Sequence, residues 1–521
     1  MKNKIEKIIN YSFTRVKAYA ILLFLYILSY YKVLSVDYLY NDDQGRKYMG
    51  YHGWLDWSRW TNTILSNFMH TDTFLYDISP LSQIIACAVM ALASLLAIQI
   101  IFEEKDILLI NIFLGLMIGV NPYYIGCMSY KYDSPYMAIS VLASILPFYY
   151  WFFTSRPEGK QKRIRFVVLS IFCLLVMFTT YQSSAGIYPM LVAVIVLKEL
   201  FKNDDFKKVA EFIGLSVGCY LASILFFSKV LMMHRGDSGN WAMISSFGEL
   251  VNNFVSHYRI IYIDYQPIWL ALMLLLFISL AVSYIKYYNG KKLRGLLYFV
   301  LGILVMSVVT FGANLFIASE EKETIAPRYL YGINIGLAFL LLLLIRIVYE
   351  NYRTNLSRIK QIYKYAVIFM ASFMAYCFVV FSCVYGNALE EQWNYHVFRV
   401  HEVINDLTDL DIMRNGQDKK VSFSGTIGLT PIIENYPNRK LIQRILPQTF
   451  SGHLWGEFYF RYYFNIPNML VDDVKPENYD FSDCTLLHES VYHIIYTDDN
   501  GDVIISLKAP EQIKWEKGTA N

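Results

Sequence analysis

Charge is scarce in this chain of 521 residues: Asp, Glu, Lys and Arg make up 17% of it, against about a quarter in an ordinary soluble domain. Hydrophobic residues reach 55%, and together the two figures exclude a soluble globular protein and point to the membrane. The formal net charge is +3, so the broad basic field that attracts nucleic acid is missing and such a partner is excluded. Cysteine is also sparse. Seven are scattered without a Cys-x-x-Cys pair, and Cys173, Cys219 and Cys377 fall inside apolar runs, as small buried hydrophobes do. There is no His-Glu-x-x-His, no Gly-rich phosphate loop ending in Lys-Ser/Thr and no Gly-x-Ser-x-Gly, and the histidines lack metal-ligand spacing. These absences speak against ATP-driven transport and zinc-dependent hydrolysis. No internal repeat and no low-complexity segment is present.

What the chain does have is long apolar runs near the roughly 20 residues that cross a bilayer. They lie at about 18–36, 81–101, 107–126, 134–154, 166–181, 185–200, 209–231, 267–287, 295–317, 329–349 and 365–386. This predicts a polytopic α-helical membrane protein with about eleven spans. The fifth and sixth runs are short and meet at Tyr181 to Ala185, so a re-entrant pair is the alternative there. The first run follows a basic leader with Lys2, Lys4, Lys7, Arg15 and Lys17 but has no small-residue cleavage site, and reads as a retained helix.

Loop charges orient the spans. Lys and Arg gather at Arg156 to Arg165, Lys198 to Lys208, Lys286 to Arg294 and Arg353 to Lys364. With eleven spans all four clusters fall on the cytoplasmic side, as the positive-inside rule requires. The N-terminus is then cytoplasmic. The segments 37–80, 121–133, 234–267 and 320–328, and the tail, then face the opposite side. The expected division is a transmembrane domain at 1–386, with an elaborate first outward loop at 37–80, and a soluble domain at 387–521. The tail opens with apolar positions Leu389, Trp393, Val397, Val400, Ile404 and Leu407 at helical spacing. Further on, 491–497 and 502–508 flank Asp498-Asp-Asn-Gly501, a hairpin signal. A small α/β or α+β domain is predicted.

The outward loops hold the chemistry. The first contains Asn41-Asp42-Asp43-Gln-Gly-Arg46, then Arg59. Two carboxylates with an arginine within a turn can supply a general base and a cation for a leaving phosphate. The same spacing also suits an exposed intrahelical ion pair. Trp57, Trp60, Ile64, Leu65 and Phe68 recur at helical intervals and predict a helix resting in the membrane interface, or simply an aromatic belt. The second loop runs Ser129-Tyr130-Lys131-Tyr132-Asp133-Ser134-Pro135, where helix capping by Asp133 or Ser134 is the bland reading. Arg328 stands just before a span, beside Glu320, Glu321 and Glu323, where a snorkelling anchor is the alternative. A last cluster, His234, Arg235 and Asp237 with His257 and Arg259, fits plain solvated loop charge.

These segments, together with Ser79-Pro80-Leu81-Ser82-Gln83, Asn121-Pro122-Tyr-Tyr, Thr180-Tyr181-Gln182-Ser183, Pro327-Arg328 and Asn387-Ala388-Leu389, resemble the bacterial Gtr type II glucosyltransferases, the serotype-converting enzymes of O-antigen modification. The resemblance covers nearly all of the membrane region and fades in the tail. It implies a GT-C-like fold in the bacterial inner membrane, with the tail domain periplasmic and a periplasmic active site roofed by the first loop and that domain. It further implies a polyprenyl-phosphate sugar donor, usually undecaprenyl-phosphate glucose, and a sugar hydroxyl of O-antigen or a related lipid-linked glycan as acceptor. On that basis Asp43, then Asp42, is the expected base, with Asp133 positioning or acting as an alternate acid. Arg46, Arg59, Arg328 and Lys131 are expected on the donor phosphate, and Tyr130 and Gln182 on the acceptor or in positioning. No cofactor is expected. A divalent metal on the acidic pair is a further option, although a hard cation wants more oxygen ligands than this loop offers. Gln44 and Ser58 stand where the family commonly has an apolar residue and a glycine, which leaves donor sugar and regiochemistry open.

The rivals are an O-antigen polymerase, which would place its large loop in the second half of the membrane region, and a polysaccharide or lipid transporter. The latter would show broken polar helices near mid-bilayer. A structural envelope protein would not need the acidic pair.

Overall fold

The computed structural model describes residues 11–153, 159–203, 206–233, 244–317, 325–352, 357–410, 420–436, 440–448, 455–466, 475 and 479–513. His234, Arg235, Asp237, Glu320, Glu321 and Glu323 lie outside them. The chain divides into two units. The first comprises residues 1–34, 52–73 and 78–384, and the second residues 35–51, 74–77 and 385–521. The long first loop at 37–80 therefore contributes to both.

The first unit is helical. Among the described residues, eight helices are long and apolar enough to cross a membrane: Leu81–Phe102, Ser134–Phe153, Gln182–Lys202, Phe206–Leu231, Pro267–Tyr287, Lys292–Val309, Gly332–Asn351 and Arg358–Asp409. The other three apolar runs of the sequence are built from shorter or more charged helices. The first stops at Ser29 and restarts as Tyr31–Ser35. The third is helical only over Leu109–Leu116 before the chain turns toward Asn121-Pro122. The fifth, Lys160–Phe178, carries Lys160, Lys162, Arg163 and Arg165 in its opening turns.

Burial sorts the eight. The apolar stretch of Gln182–Lys202 is 83% buried, whereas that of Lys292–Val309 is only 17% buried. The latter shows Leu293, Leu297, Leu301 and Leu304 to the outside, as a helix solvated by lipid does. At the opposite extreme, three backbones cross almost without side chains. A Cβ on Gly186 would meet the carbonyl oxygen of Val309, and one on Gly332 would meet that of Thr310. Small residues allow this approach.

The C-terminus of Leu81–Phe102 is closed by cations. Glu103 takes a left-handed conformation and its N–H reaches the Gln99 carbonyl at 2.7 Å. Lys198 Nζ donates to the Ile100 carbonyl at 3.0 Å, and Arg346 donates to that of Ile101. Lys198 also pairs with Glu103 at 2.5 Å. The orphan carbonyls and the negative helix end are thereby satisfied. Burial alone would push the Glu103 carboxyl up; the charges of Lys198, Arg346 and Lys202 bring it net below its ordinary value.

The second unit contains a mixed four-stranded sheet. Numbering the strands from the chain start, β1 (Ser12–Phe13) pairs with β2 (Ile107–Leu108) in the first unit. The tail sheet has β3 (Val421–Gly425), β4 (Thr485–Glu489), β5 (His493–Thr497) and β6 (Val503–Leu507) in the order β3-β6-β5-β4. β3 runs parallel to β6, and the other pairs are antiparallel. The β5–β6 hairpin falls where Asp-Asp-Asn-Gly predicts it. Asp498 Oδ1 accepts from the N–H groups of Asn500 and Asp502, both at 2.9 Å, and Gly501 has φ +80°.

The predicted amphipathic helix is the end of one continuous helix, Arg358–Asp409. Val400, Val403 and Leu407 pack on Val421, Phe423, Ile495, Val503 and Ile505 to form the core of this unit. The buried Arg399 donates at 2.7 Å to the carbonyls of both Tyr492 and Lys508. Asp406 receives two imidazoles on one carboxylate oxygen, His493 Nε2 at 2.9 Å and His488 Nε2 at 3.1 Å.

Candidate functional site

In the first unit the site begins with the helix Trp60–His70, whose polarity is inverted relative to a soluble helix. Its polar residues Asn62, Ser66 and His70 are buried, while Ile64 is 50% and Phe68 78% exposed. An outward apolar face is what a helix lying on lipid presents. The buried face docks on the turn between Lys160–Phe178 and Ile187–Asn203. Thr61 Oγ1 and Thr179 Oγ1 share a hydrogen bond at 2.7 Å, and Asn62 Nδ2 donates to the Thr180 carbonyl at 3.3 Å.

This docking sets Arg59, the residue that opens the helix. Its Nε donates to Gln182 Oε1 at 3.1 Å, and Gln182 Nε2 returns a bond to the Trp57 carbonyl at 2.9 Å. The guanidinium lies 4.9 Å from the Tyr181 ring centroid, where ring quadrupole and cation attract. Tyr181 in turn stacks on Tyr331, whose hydroxyl meets Ser184 Oγ at 2.6 Å. Arg59 and Gln182, named separately from the sequence, are thus direct partners.

The second loop is built around Asn121. Its Oδ1 accepts from the N–H groups of Tyr123 and Tyr124 at 3.2 and 2.9 Å and from Asn334 Nδ2 at 3.2 Å. That side chain mimics the backbone of a turn and holds the loop against Gly332–Asn351. Tyr130, Lys131 and Asp133 are all buried. Ser82 donates to the Lys131 carbonyl, and Gln83 Nε2 to that of Met128 at 2.9 Å. Asp133 accepts the indole N–H of Trp54 on Oδ1, and Trp54 packs edge-on against Tyr136. The Asp133 carbonyl also accepts from the N–H groups of Tyr136 and Met137, both at 3.1 Å, so this residue opens the helix Ser134–Phe153 as well as holding Trp54. Arg328 lies 5.5 Å from the Tyr130 ring centroid and 4.9 Å from that of Tyr329.

Cys127 reports how these charges converge. Burial dominates and leaves its thiol raised to about 12, against the pull of Arg328, Tyr181 and Arg59, while Asp133 adds to the rise. One buried atom thus senses three of the residues singled out from the sequence. His257, from the remaining cluster, is buried in Phe247–Asp264 and bonds the Asn253 carbonyl through Nδ1 at 2.6 Å.

The acidic pair sits in the second unit. Asp43 opens the short helix Asp43–Met49, following Asn41 at φ 46°. Arg46 reaches Asp42 at 3.8 Å and Asp43 at 3.9 Å. The i, i+4 and i, i+3 pairing open in the sequence is therefore present, but it is not a plain surface feature. Asp43 and Arg46 are buried, and only Asp42 is open, with 43% of its side chain exposed. Among the described residues, no three His, Cys, Asp or Glu side chains are grouped to hold a metal ion.

A family model described as glucosyl transferase GtrII matches residues 31–337, more than half of the chain. The chain belongs to the GtrII glucosyltransferase family. It is also similar to a Salmonella phage P22 protein described as an uncharacterized 55.3 kDa protein in the gtrB 5' region. The two are 26% identical over 460 residues, covering 84% of this chain and 88% of the phage protein. The matched GtrII region takes in Asp42, Asp43, Arg46, Arg59, Lys131, Asp133, Gln182 and Arg328.

Sequence reasoning gave no site role to Trp54, Tyr181 or Cys127. Trp54 was visible only as one of several loop tryptophans, and its position 79 residues before Asp133 carries no periodic signal. The pair of Asn121 with Asn334, 213 residues apart, was equally hidden.

Proposed function

We propose that this chain is an inner-membrane glycosyltransferase that moves a sugar, glucose in the first instance, from a polyprenyl-phosphate donor to a hydroxyl of O-antigen or a related glycan. In this reading the chain has eleven spans in a GT-C-like fold, residues 1–386 form the transmembrane domain, and the periplasmic face carries both the reaction and residues 387–521. The observation that carries it is the arginine arrangement: Arg59 is locked by Gln182 and Tyr181 and shares the surroundings of Cys127 with Arg328 and Asp133, in a chain of the GtrII family. Membership in a glucosyltransferase family also weighs against the polymerase and transporter readings.

The chemistry is one inverting displacement. The acceptor oxygen attacks the anomeric carbon, its proton passes to the Asp43 carboxylate, and the bond from that carbon to the phosphate oxygen breaks. Asp42 is the second choice for the base, and Asp133 positions the reacting groups. Arg46, Arg59, Arg328 and Lys131 stabilise the charge that grows on the departing polyprenyl phosphate. Gln182 and Tyr130 position these cations or the acceptor. A lipid-borne donor suits an outward site, because it enters sideways from the bilayer.

The test expresses wild type, Asp42→Asn and Asp43→Asn at matched membrane levels in a bacterium making undecaprenyl-phosphate glucose and a candidate O-antigen. The polysaccharide is then analysed for added hexose. Asp43→Asn is expected to lower transfer by roughly 10²–10⁴-fold. Full activity in both variants would show the acidic pair to be structural.

A further inference from the structure

The second unit carries a run of aromatic residues to which the reaction above gives no task. Helix Trp455–Phe458 widens into a π-helical turn, Tyr459–Tyr463, a local geometry that frequently accompanies functional sites. Tyr459 and Phe460 turn inward and join the core. Tyr462 and Tyr463 do not, remaining 41% and 61% exposed.

Both exposed rings are held in place. Tyr463 stacks on Tyr459 at 4.8 Å and 18°, with Phe464 at its edge at 5.0 Å. Tyr462 stacks on Tyr48 at 5.8 Å and 12°, and the Arg461 guanidinium lies 5.5 Å from its centroid. Tyr48 belongs to Asp43–Met49, the helix that begins with the buried acid. Burial raises the Tyr48 hydroxyl, and Tyr459, Asp37 and Tyr463 add to the rise, so Asp37 lies near the same rings. Asp37, 73% exposed, pairs with Lys47 at 3.8 Å, and Lys47 also meets Asp77 at 3.5 Å.

A pinned ring loses little freedom when a ligand stacks on it, and tyrosine combines an apolar face with a polar tip. Sugar rings have the matching character, with C–H groups on a face and hydroxyls around the rim. Carboxylates and cations beside the rings are partners for those hydroxyls. A patch meant to enter the bilayer would not carry Asp37, Lys47 and Arg461 at its border, because charge is expelled from hydrocarbon.

We propose that Tyr462 and Tyr463, braced by Tyr48 and Tyr459 and bordered by Arg461 and Asp37, form a platform that grips sugar units of the acceptor polysaccharide. The platform rests on the reading that the acceptor is a glycan. It gives the second unit the task of holding the acceptor chain beside the helix that carries Asp43.

Binding tests this without any donor. Full-length protein in nanodiscs is titrated with three lipid-free O-polysaccharides of different repeat and with dextran, and saturation-transfer NMR reads contact with sugar C–H protons. At least one polysaccharide binds wild type at roughly millimolar or better. Tyr462→Ala and Tyr463→Ala each weaken that binding roughly tenfold, about 1.4 kcal/mol, whereas Tyr462→Phe stays close to wild type and shows that the fold is kept. Asp43→Asn, inactive under the proposed function, still binds.

No binding by wild type to any of the four glycans, or equal binding by the alanine variants, overturns the platform. So does broadening of the 3-fluorotyrosine signals of Tyr462 and Tyr463 by spin-labelled lipid in the nanodiscs, since those rings then rest in the bilayer. Normal binding by the alanine variants alongside active wild-type transfer defeats this inference alone. Tyrosine-dependent binding without transfer from any polyprenyl-phosphate sugar defeats only the reading of the reaction.

Discussion

Acidification should loosen the tail sheet, and His493 allows the size of the effect to be worked out. This side chain on β5 is fully buried, with Asp406 at 2.9 Å from Nε2 and Ser490 Oγ at 3.2 Å from Nδ1. Burial lowers its pKa to about 4, against the pull of Asp406 and with help from His488 and Arg399. An unfolded histidine titrates near 6.5. The folded state therefore binds fewer protons than the unfolded one below about pH 6.5, so stability falls as pH drops from there toward 4 and levels off below. The loss is on the order of 2 kcal/mol at pH 5 and about 3 kcal/mol at the acid limit, at 1.36 kcal/mol per unit.

Hydrogen exchange of full-length protein in detergent, corrected for intrinsic rates, measures this at the β5 and β6 amides. Protection should fall about twentyfold between pH 7 and pH 5. His493→Gln should start lower at pH 7 and show a shallower profile. Protection that is constant or rising over that range, or an unchanged slope in His493→Gln, would refute the reasoning.

Three further perturbations follow from the first unit. Arg59→Lys loses both the bond to Gln182 and the guanidinium's contact with the Tyr181 ring, because an ammonium cannot reproduce a guanidinium in that setting; hexose transfer should drop by about 10², and transfer at wild-type rates would remove Arg59 from the phosphate role. Trp54→Phe strips the indole donor from the buried Asp133 and should lower stability by about 1–3 kcal/mol, read as a lower melting temperature in detergent. Lys198→Met removes the nearest cation from Glu103 and the donor to the Ile100 carbonyl; with Glu103 partly exposed the expected loss is roughly 2 kcal/mol, and unchanged melting would show that Arg346 and Lys202 suffice to close that helix end.

How much of this was readable in advance depended on the range of the signal. Apolar runs and Asp-Asp-Asn-Gly are local, so the spans at Leu81–Phe102 and Pro267–Tyr287 and the β5–β6 hairpin could be placed from a few neighbouring residues. Hydropathy alone could not show that Leu109–Leu116 ends early, because the residues after it stay apolar while Asn121 folds them into a turn. β3 was invisible for another reason: its partner β6 lies 82 positions away and pairs in parallel, without a hairpin signal. In the site, residue types with charge stood out in a charge-poor chain, which is why Arg59, Asp133 and Arg328 could be named. Their neutral partners Trp54, Tyr181 and Cys127 look like the rest of an aromatic-rich sequence and gain meaning only from contact.

The crossing of Gly186 and Gly332 with the carbonyls of Val309 and Thr310 has a bearing on engineering. It fixes the spacing of three segments by main chain alone, with no side chain whose repacking can absorb an error. The 3-10 turn Gln182–Gly186, which presents Gln182 to Arg59, ends at that crossing. Adding a single methyl group by Gly186→Ala would thus act like a shim inserted behind the turn, shifting Gln182 without altering any polar residue. Variants of this kind separate the placement of the arginine from its charge, and substitutions at Arg59 itself cannot do so.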